Sequence, residues 1–258
     1  MIGFIGAGNM GSTMIYAIDN NLSEVGIFDV NFKNYAKFES QNITFFDNVS
    51  DLVCNSKYVV LTVKPKYYGE VCEQIKSILT KNHVVVTVAP NIALEDMMNL
   101  LGENIKVVRT MPNTPALVGK GVTAYCANDL VENEEIEELK SYFNCFGKVY
   151  CVCESNMEAV VAISGSSPAY LYMFIEAMGD AGVKLGLSRE EAYEISANAI
   201  AGACEMVLQT SKHPAQLKDE VTSPAGTTIE AVCSLEASGF RSSVIEAVTV
   251  CYNKAKSM

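Results

Sequence analysis

The residues best arranged to do chemistry come first: Ile2-Gly3-Phe4-Ile5-Gly6-Ala7-Gly8-Asn9-Met10-Gly11 places a G-x-G-x-x-G spacing directly behind a β-branched run. Each glycine of such a turn has its own task. Gly6 permits the tight turn, Gly8 lets the backbone approach a pyrophosphate, and Gly11 lets a helix pack close to the strand. Met10, Met14, Ile15 and Ile18 then share one helical face. The free N–H groups and the positive end of that helix would meet the phosphates. Asp29 closes the second β-like run, 18 residues beyond Gly11, where a carboxylate can accept from ribose hydroxyls. The spacing alone is a weak sign; strand, turn, helix and acid together predict a dinucleotide site. Asp29 opposes a 2′-phosphate and leans the choice towards NADH, while Asn31 and Lys33 just beyond it keep NADPH open.

Four further segments carry recognisable residues. Val59-Val60-Leu61-Thr62-Val63-Lys64-Pro65 is a strand entering a Lys-Pro turn, and Val108-Arg109-Thr110-Met111-Pro112-Asn113-Thr114-Pro115 is a strand entering a proline-rich loop. Later come Ile163-Ser164-Gly165-Ser166-Ser167-Pro168-Ala169-Tyr170 and the stretch from Leu217 to Ala231, with Ser223-Pro224-Ala225-Gly226-Thr227-Thr228-Ile229-Glu230 at its centre. Lys64 sits where a strand ends and is expected to line the cofactor site rather than act as a base. Neither His83 nor His213 has a paired acid or nucleophile in a recognisable arrangement, so both are expected to be surface or structural residues. The acidic run Glu132 to Glu138 reads as a solvated helix face.

The elements that must position these residues change character once. Up to about residue 153 the chain alternates β-like runs with amphipathic stretches. The expected strands are Ile2–Ile5, Val25–Phe28, Ile43–Phe46, Tyr58–Val63, His83–Val88, Lys106–Arg109, Val122–Cys126 and Lys148–Val152. Strands alternating with helices predict βαβ units and a mainly parallel sheet. Beyond Cys153 only helical patterns remain: Pro168–Gly186 with Ser167 as its cap, a long helix opened by the Ser188/Glu191 capping box and running to about Leu208, then Thr227–Ala237 and Phe240–Lys256. The expected architecture is therefore α/β, a Rossmann dinucleotide-binding domain over 1–153 followed by an all-α domain over 154–258. Ile195, Ala197, Ala199, Ile200, Ala201, Ala203 and Met206 make one helix apolar over most of its circumference. Such a helix needs cover on more than one side. A homodimer through the C-terminal half would supply it.

Composition excludes several classes. With 19 Lys and Arg scattered among 30 acids and a net charge of −11, the chain lacks the basic stripe of a nucleic-acid binder. Its nine cysteines follow no zinc or disulfide spacing and read as reduced thiols. No signal peptide or membrane-spanning run is visible, so a cytoplasmic protein acting on a small molecule is expected.

Taken together and in this order, these motifs resemble pyrroline-5-carboxylate reductase over essentially the whole chain, to Gly239-Phe240-Arg241; S-P-x-G-T-T-I-E is the most specific part. The resemblance implies NAD(P)H-dependent reduction of a cyclic imine to L-proline by subunits that dimerise, or assemble further, through their helical domains. It assigns the cofactor to Gly6, Ala7, Gly8, Asn9, Met10, Gly11, Val63, Lys64, Pro65, Ala89, Asn48 and Asn113, beside the Asp29 read from the spacing. It assigns the substrate to Ser223, Gly226, Thr227 and Thr228, with the Thr228 hydroxyl bonding the substrate. The chemistry agrees: N–H groups of Gly226, Thr227 and Thr228 opening a helix suit a carboxylate, and Thr228 can bond the ring nitrogen. Three positions depart from the family pattern, Pro90 and Ser167 where glycine is usual and Ala225 within S-P-G-G. At φ > 0 alanine would be strained by about 1 kcal/mol or more. Two alternatives stand beside this reading. A β-hydroxyacid dehydrogenase needs a G-x-x-x-N-x-x-K helix, which is not found after residue 153. A non-catalytic dinucleotide binder is favoured by Ala225 and opposed by Gly226-Thr227-Thr228.

Overall fold

The computed structural model describes residues 1–19, 24–38 and 42–257, in two compact units. The first is Met1–Ser166 with the end of the chain from Cys251, and the second is Ser167–Val250.

The first unit is built on one sheet of eight strands: β1 Ile2–Ile5, β2 Val25–Phe28, β3 Ile43–Phe45, β4 Tyr58–Leu61, β5 Val84–Thr87, β6 Lys106–Met111, β7 Gly121–Ala127 and β8 Gly147–Cys151. Their order is β3-β2-β1-β4-β5-β6-β7-β8, and every neighbouring pair is parallel except β6 with β7. The chain builds outward from β1 to β3, then returns to place β4 on the opposite side of β1. Ligands of open α/β sheets bind at such a reversal, beyond the carboxyl ends of the strands.

Helices cover both faces, which is why β1, β4 and β5 read as unbroken apolar runs instead of alternating. On one face Met14, Ile15 and Ile18 of α1 (Asn9–Asp19) and Leu139 and Phe143 of α5 (Asn133–Asn144) pack on Phe4, Val60 and Val86. On the other, α2 (Val49–Cys54), α3 (Tyr68–Lys76) and α4 (Leu94–Leu101) set Leu52, Cys72, Ile75 and Met97 against Ile5, Val59 and Val85. Burying side chains of this size stabilises by about 1.5–3 kcal/mol each.

The acidic run is not wholly a solvated face. Glu135 is buried, accepts from Lys106 Nζ at 2.8 Å, and closes a capping box on the Glu132 N–H at 3.0 Å. Its bond to Lys106 raises the lysine pKa despite desolvation. Glu138 accepts from the Tyr58 hydroxyl at 2.7 Å and from Lys57. Periodicity could not show this, because Lys106, Tyr58 and Lys57 lie at or beside strands β4 and β6, far away in sequence.

The sheet unit continues past the change of periodicity at Cys153. Met157 of α6 (Met157–Val160) and Ala162 are fully buried, and a π turn over Val161–Gly165 closes with the Ser166 N–H on the Val161 carbonyl at 2.9 Å. Arg109 on β6, 4% exposed, draws this segment in, donating to Glu154 at 3.2 Å, Glu158 at 3.1 Å and the Pro90 carbonyl at 2.7 Å.

The second unit is helical: α7 Ser167–Lys184, α8 Arg189–Thr210, α9 Pro214–Glu220, α10 Thr227–Ala237 and α11 Phe240–Lys256, whose end counts with the sheet. Small residues let α7 and α8 approach, since a Cβ on Gly179 would strike the Tyr193 ring and one on Gly182 would meet Ala192. The Ser188/Glu191 capping box opens α8 as expected. Ser167 is not a flanking cap but already the first residue of α7, because the π turn leads directly into the helix. His213 caps the start of α9, its ring accepting from the Ala215 N–H at 3.1 Å. Helices α9, α10 and α11 bury no described side chain, and Met173, Leu185, Leu208 and Ile245 are 66–84% exposed. Among the described residues no helix is long and apolar enough to cross a membrane, and no cluster of His, Cys, Asp or Glu could hold a metal.

Candidate active site

The glycine turn lies at the carboxyl end of β1, held from three sides. Gly6 has φ +107°, and a Cβ there would come within 3.0 Å of the Thr62 and Val63 backbone. Its N–H donates to the Phe28 carbonyl at 2.8 Å, and its own carbonyl accepts from Thr62 Oγ1 at 2.5 Å. A Cβ at Gly11 would collide with that same carbonyl, so α1 approaches the turn only with glycine here. Gly8 differs: it is exposed, and a Cβ on it would meet nothing within 4 Å. Among the described residues no neighbour requires a glycine at position 8. The open space is on the side a ligand would use.

Asp29 is 8% exposed, and its carboxylate anchors this turn. Oδ2 accepts from the Ala7 N–H at 2.6 Å and from Asn34 Nδ2 at 2.9 Å, while Oδ1 accepts from the Asn31 N–H at 2.7 Å. Three of roughly four acceptor positions are thereby filled. Tyr35 steadies the same strand end, its oxygen accepting from the Asp29 N–H at 3.0 Å, and burial raises its phenol pKa. Asp29, Gly6 and Val63 line a cavity of about 300 Å³ with Phe28, Val49 and Glu70.

The remaining expected cofactor residues surround the same strand ends in different ways. Ala7 is buried at the turn, and Asn9 and Met10 begin α1. Lys64 and Pro65 are exposed, and the Lys64 carbonyl closes a 3-10 turn by accepting from Tyr67 N–H at 2.9 Å. Asn48 caps α2, accepting from the Asp51 N–H at 2.8 Å. Ala89 is buried just past β5, its N–H on Thr87 Oγ1 at 3.2 Å. Thr87 Oγ1 in turn donates to the buried Tyr68 oxygen at 2.9 Å, and burial pushes the Tyr68 pKa up to about 12. Asn113 is buried with its amide engaged by the protein, donating to Ser164 at 3.1–3.2 Å and accepting from the Val122 N–H at 2.8 Å. It ties the proline-rich loop to the π turn.

In the helical unit, Ser223-Pro224-Ala225-Gly226 turns into α10, with the Gly226 N–H on the Ser223 carbonyl at 3.1 Å. Ala225 adopts φ +58°, the left-handed conformation that glycine would hold without strain. Gly226 is the N-cap, and no side chain caps the helix. Among the described residues the first N–H groups of α10 therefore have no side-chain cap. Thr228 lies half-buried one residue into the helix. Thr62, Asn34, Tyr35 and Glu70 were not singled out from the sequence. Only Thr62 had a signal, its place directly before Val63-Lys64-Pro65.

The residues 154–258 match the family model described as pyrroline-5-carboxylate reductase dimerisation, and residues 1–91 match that described as NADP oxidoreductase coenzyme F420-dependent. Pyrroline-5-carboxylate reductase of Escherichia coli (strain K12) is 39% identical over 100% of this chain and 97% of its own. The solved pyrroline-5-carboxylate reductase of Coxiella burnetii superposes with a TM-score of 0.92 at 33% identity, covering 99% of this chain and 97% of that one. The Plasmodium falciparum enzyme, solved with NADP bound, gives 0.89 at 32% identity over 99% and 97%. With a glycine turn anchored by Asp29, an uncapped T-T-I-E helix start and relatives matching end to end, the chain belongs to the pyrroline-5-carboxylate reductase family.

Proposed function

We propose that this protein reduces the imine of L-1-pyrroline-5-carboxylate to L-proline with NAD(P)H, the last step of proline biosynthesis. The observation that carries the proposal is the full-length likeness to the Escherichia coli reductase. The fit of the cofactor rests on Gly8, whose open side leaves room for backbone and pyrophosphate to meet. The first turn of α1 would hold the phosphates, and Gly6, Asp29 and Val63 the adenosine end, with Lys64, Pro65, Ala89, Asn48 and Asn113 framing the site. A bound reduced nicotinamide supplies the hydride.

The protein's share is positioning. The N–H groups of Thr227 and Thr228 would receive the substrate carboxylate beside Gly226, whose own N–H is held by the Ser223 carbonyl and so fixes the turn. The Thr228 hydroxyl would bond the ring nitrogen and fix the orientation of the electrophilic carbon. A protonated imine is already electrophilic, so orientation, more than a strong acid, is what the protein must provide. Thr228→Ala is expected to lower turnover markedly while NADH binding persists; unchanged turnover would remove Thr228 from the chemistry.

The exposed apolar faces of α7, α8 and α11 support a homodimer, or a larger homo-oligomer, through the C-terminal helices. A single-chain mass by light scattering at micromolar concentration would contradict it. The charge balance supports a small-molecule substrate with no nucleic acid, and the biosynthetic role a cytoplasmic location.

A further inference from the structure

Resting on that cofactor reading, we propose that Glu70, together with Asp29, makes this enzyme select NADH over NADPH. The cavity at the carboxyl ends of β1, β2 and β4 has apolar walls, including Phe28, Val49 and Val63, and among the described residues its only charged lining residues are two acids. Asp29 stands at the end of β2, the position that faces the adenosine 2′ group in this fold. Glu70 comes from the second turn of the helical segment opened by Pro65, and Gln74 lies one turn further along α3. The Glu70 carboxylate accepts from Gln74 Nε2 at 3.5 Å, and among the described residues neither acid has an ion-pair partner. The nearby cations do not line the cavity. Lys66 lies on the Tyr67 ring, 4.8 Å from its centroid, and Lys33 is exposed on the turn after β2.

A ribose hydroxyl can donate to the remaining acceptor position of Asp29. A 2′-phosphate cannot donate when ionised, and it would bring a dianion beside two carboxylates with no base in the wall to offset them. The buried Asp29 carboxylate is poorly screened and the exposed Glu70 adds a second like charge to the same lining, so the phosphate is disfavoured more than the hydroxyl is favoured. Asp29 also anchors the glycine turn, which makes Glu70 the residue at which selectivity can be altered without loosening that turn.

The test is titration of the full-length protein with NADH and with NADPH by fluorescence, alongside kcat/KM for each, in the parent, Glu70→Gln and Glu70→Lys. NADH should bind at least about tenfold tighter, a difference of about 1.4 kcal/mol. The preference should narrow with Glu70→Gln and narrow further or reverse with Glu70→Lys. Raising the KCl concentration should improve NADPH binding relative to NADH, since salt weakens repulsion; a base holding the phosphate would give the opposite trend. NADPH binding as tightly as NADH, or a preference unmoved by both variants, would overturn the assignment while leaving the cofactor reading intact. If neither NADH nor NADPH bound, both the assignment and the cofactor reading would be overturned.

Discussion

Gly8 and Gly11 sit three residues apart in one motif, yet the structure predicts opposite outcomes for the same substitution. At Gly11, inside α1, helix propensity alone would favour alanine by about 1 kcal/mol. Against this, the new Cβ meets the Gly6 carbonyl, and Thr62 Oγ1 lies 2.9 Å away. Both neighbours are fixed, because Thr62 already bonds that carbonyl at 2.5 Å. Overpacking of this kind costs about 1–3 kcal/mol, so the clash wins and Gly11→Ala should lose about 1 kcal/mol, a fall in Tm of roughly 2–4 °C. At Gly8 the backbone is outside the left-handed region and the Cβ meets nothing. Restricting the unfolded chain should make Gly8→Ala more stable by about 0.4–1 kcal/mol. The methyl group would, however, stand where the pyrophosphate approaches. Losing one charge-assisted hydrogen bond, worth about 1.5–3 kcal/mol, weakens NADH binding by roughly 10- to 100-fold. Thermal unfolding at one fixed protein concentration and NADH titration separate the two effects. Parent-like NADH affinity in Gly8→Ala, or a stable Gly11→Ala, would refute the reasoning.

Ala225→Gly should relieve about 1–2 kcal/mol of left-handed strain while giving back about 0.4–1 kcal/mol in unfolded-chain freedom. A net gain of about 0.5–1 kcal/mol in urea unfolding is expected, and a loss would show that the strain is not real. Arg109→Met leaves Glu154, Glu158 and the Pro90 carbonyl without their shared donor, and removing one partner of such a buried pair costs about 3 kcal/mol or more. The urea midpoint should fall with the slope unchanged. Glu138 is desolvated, but bonds from Lys57 and Tyr58 outweigh that and hold its pKa below the usual glutamate value. Its stabilisation is therefore present above about pH 4 and lost as pH falls through the lowered folded value. The parent's advantage over Glu138→Gln, clear at neutral pH, should vanish in acid; a constant difference across pH would contradict the assignment.

Where local pattern governs structure, the sequence was legible. Ile2–Ile5, Val25–Phe28, Thr227–Ala237 and Phe240–Lys256 form as expected, because each has clear periodicity bounded by Gly, Asp, Pro or a cap. Strand ends were less legible: β5 spans only Val84–Thr87 within the expected His83–Val88, since apolar residues continue beyond the last ladder bond. The π turn and α9 were not legible, because one is imposed by packing at Met157 and Ala162 and the other is short and opened by a histidine cap. The glycine turn is legible in its spacing, and Ala225, standing where S-P-G-G has glycine, does adopt a positive φ. The anchoring role of Asp29 was hidden, since the Ala7 N–H it accepts from lies 22 residues away, and Glu70 reaches the cavity only through the fold.

The central claim meets its most direct test in one assay. The purified protein is mixed with NADH and L-1-pyrroline-5-carboxylate, and loss of NADH absorbance is followed together with L-proline formed. Rapid oxidation with one proline for each NADH consumed is the predicted result. NADH that binds but is not oxidised in the presence of the imine would contradict the account and favour a dinucleotide-binding protein that does no chemistry on this substrate.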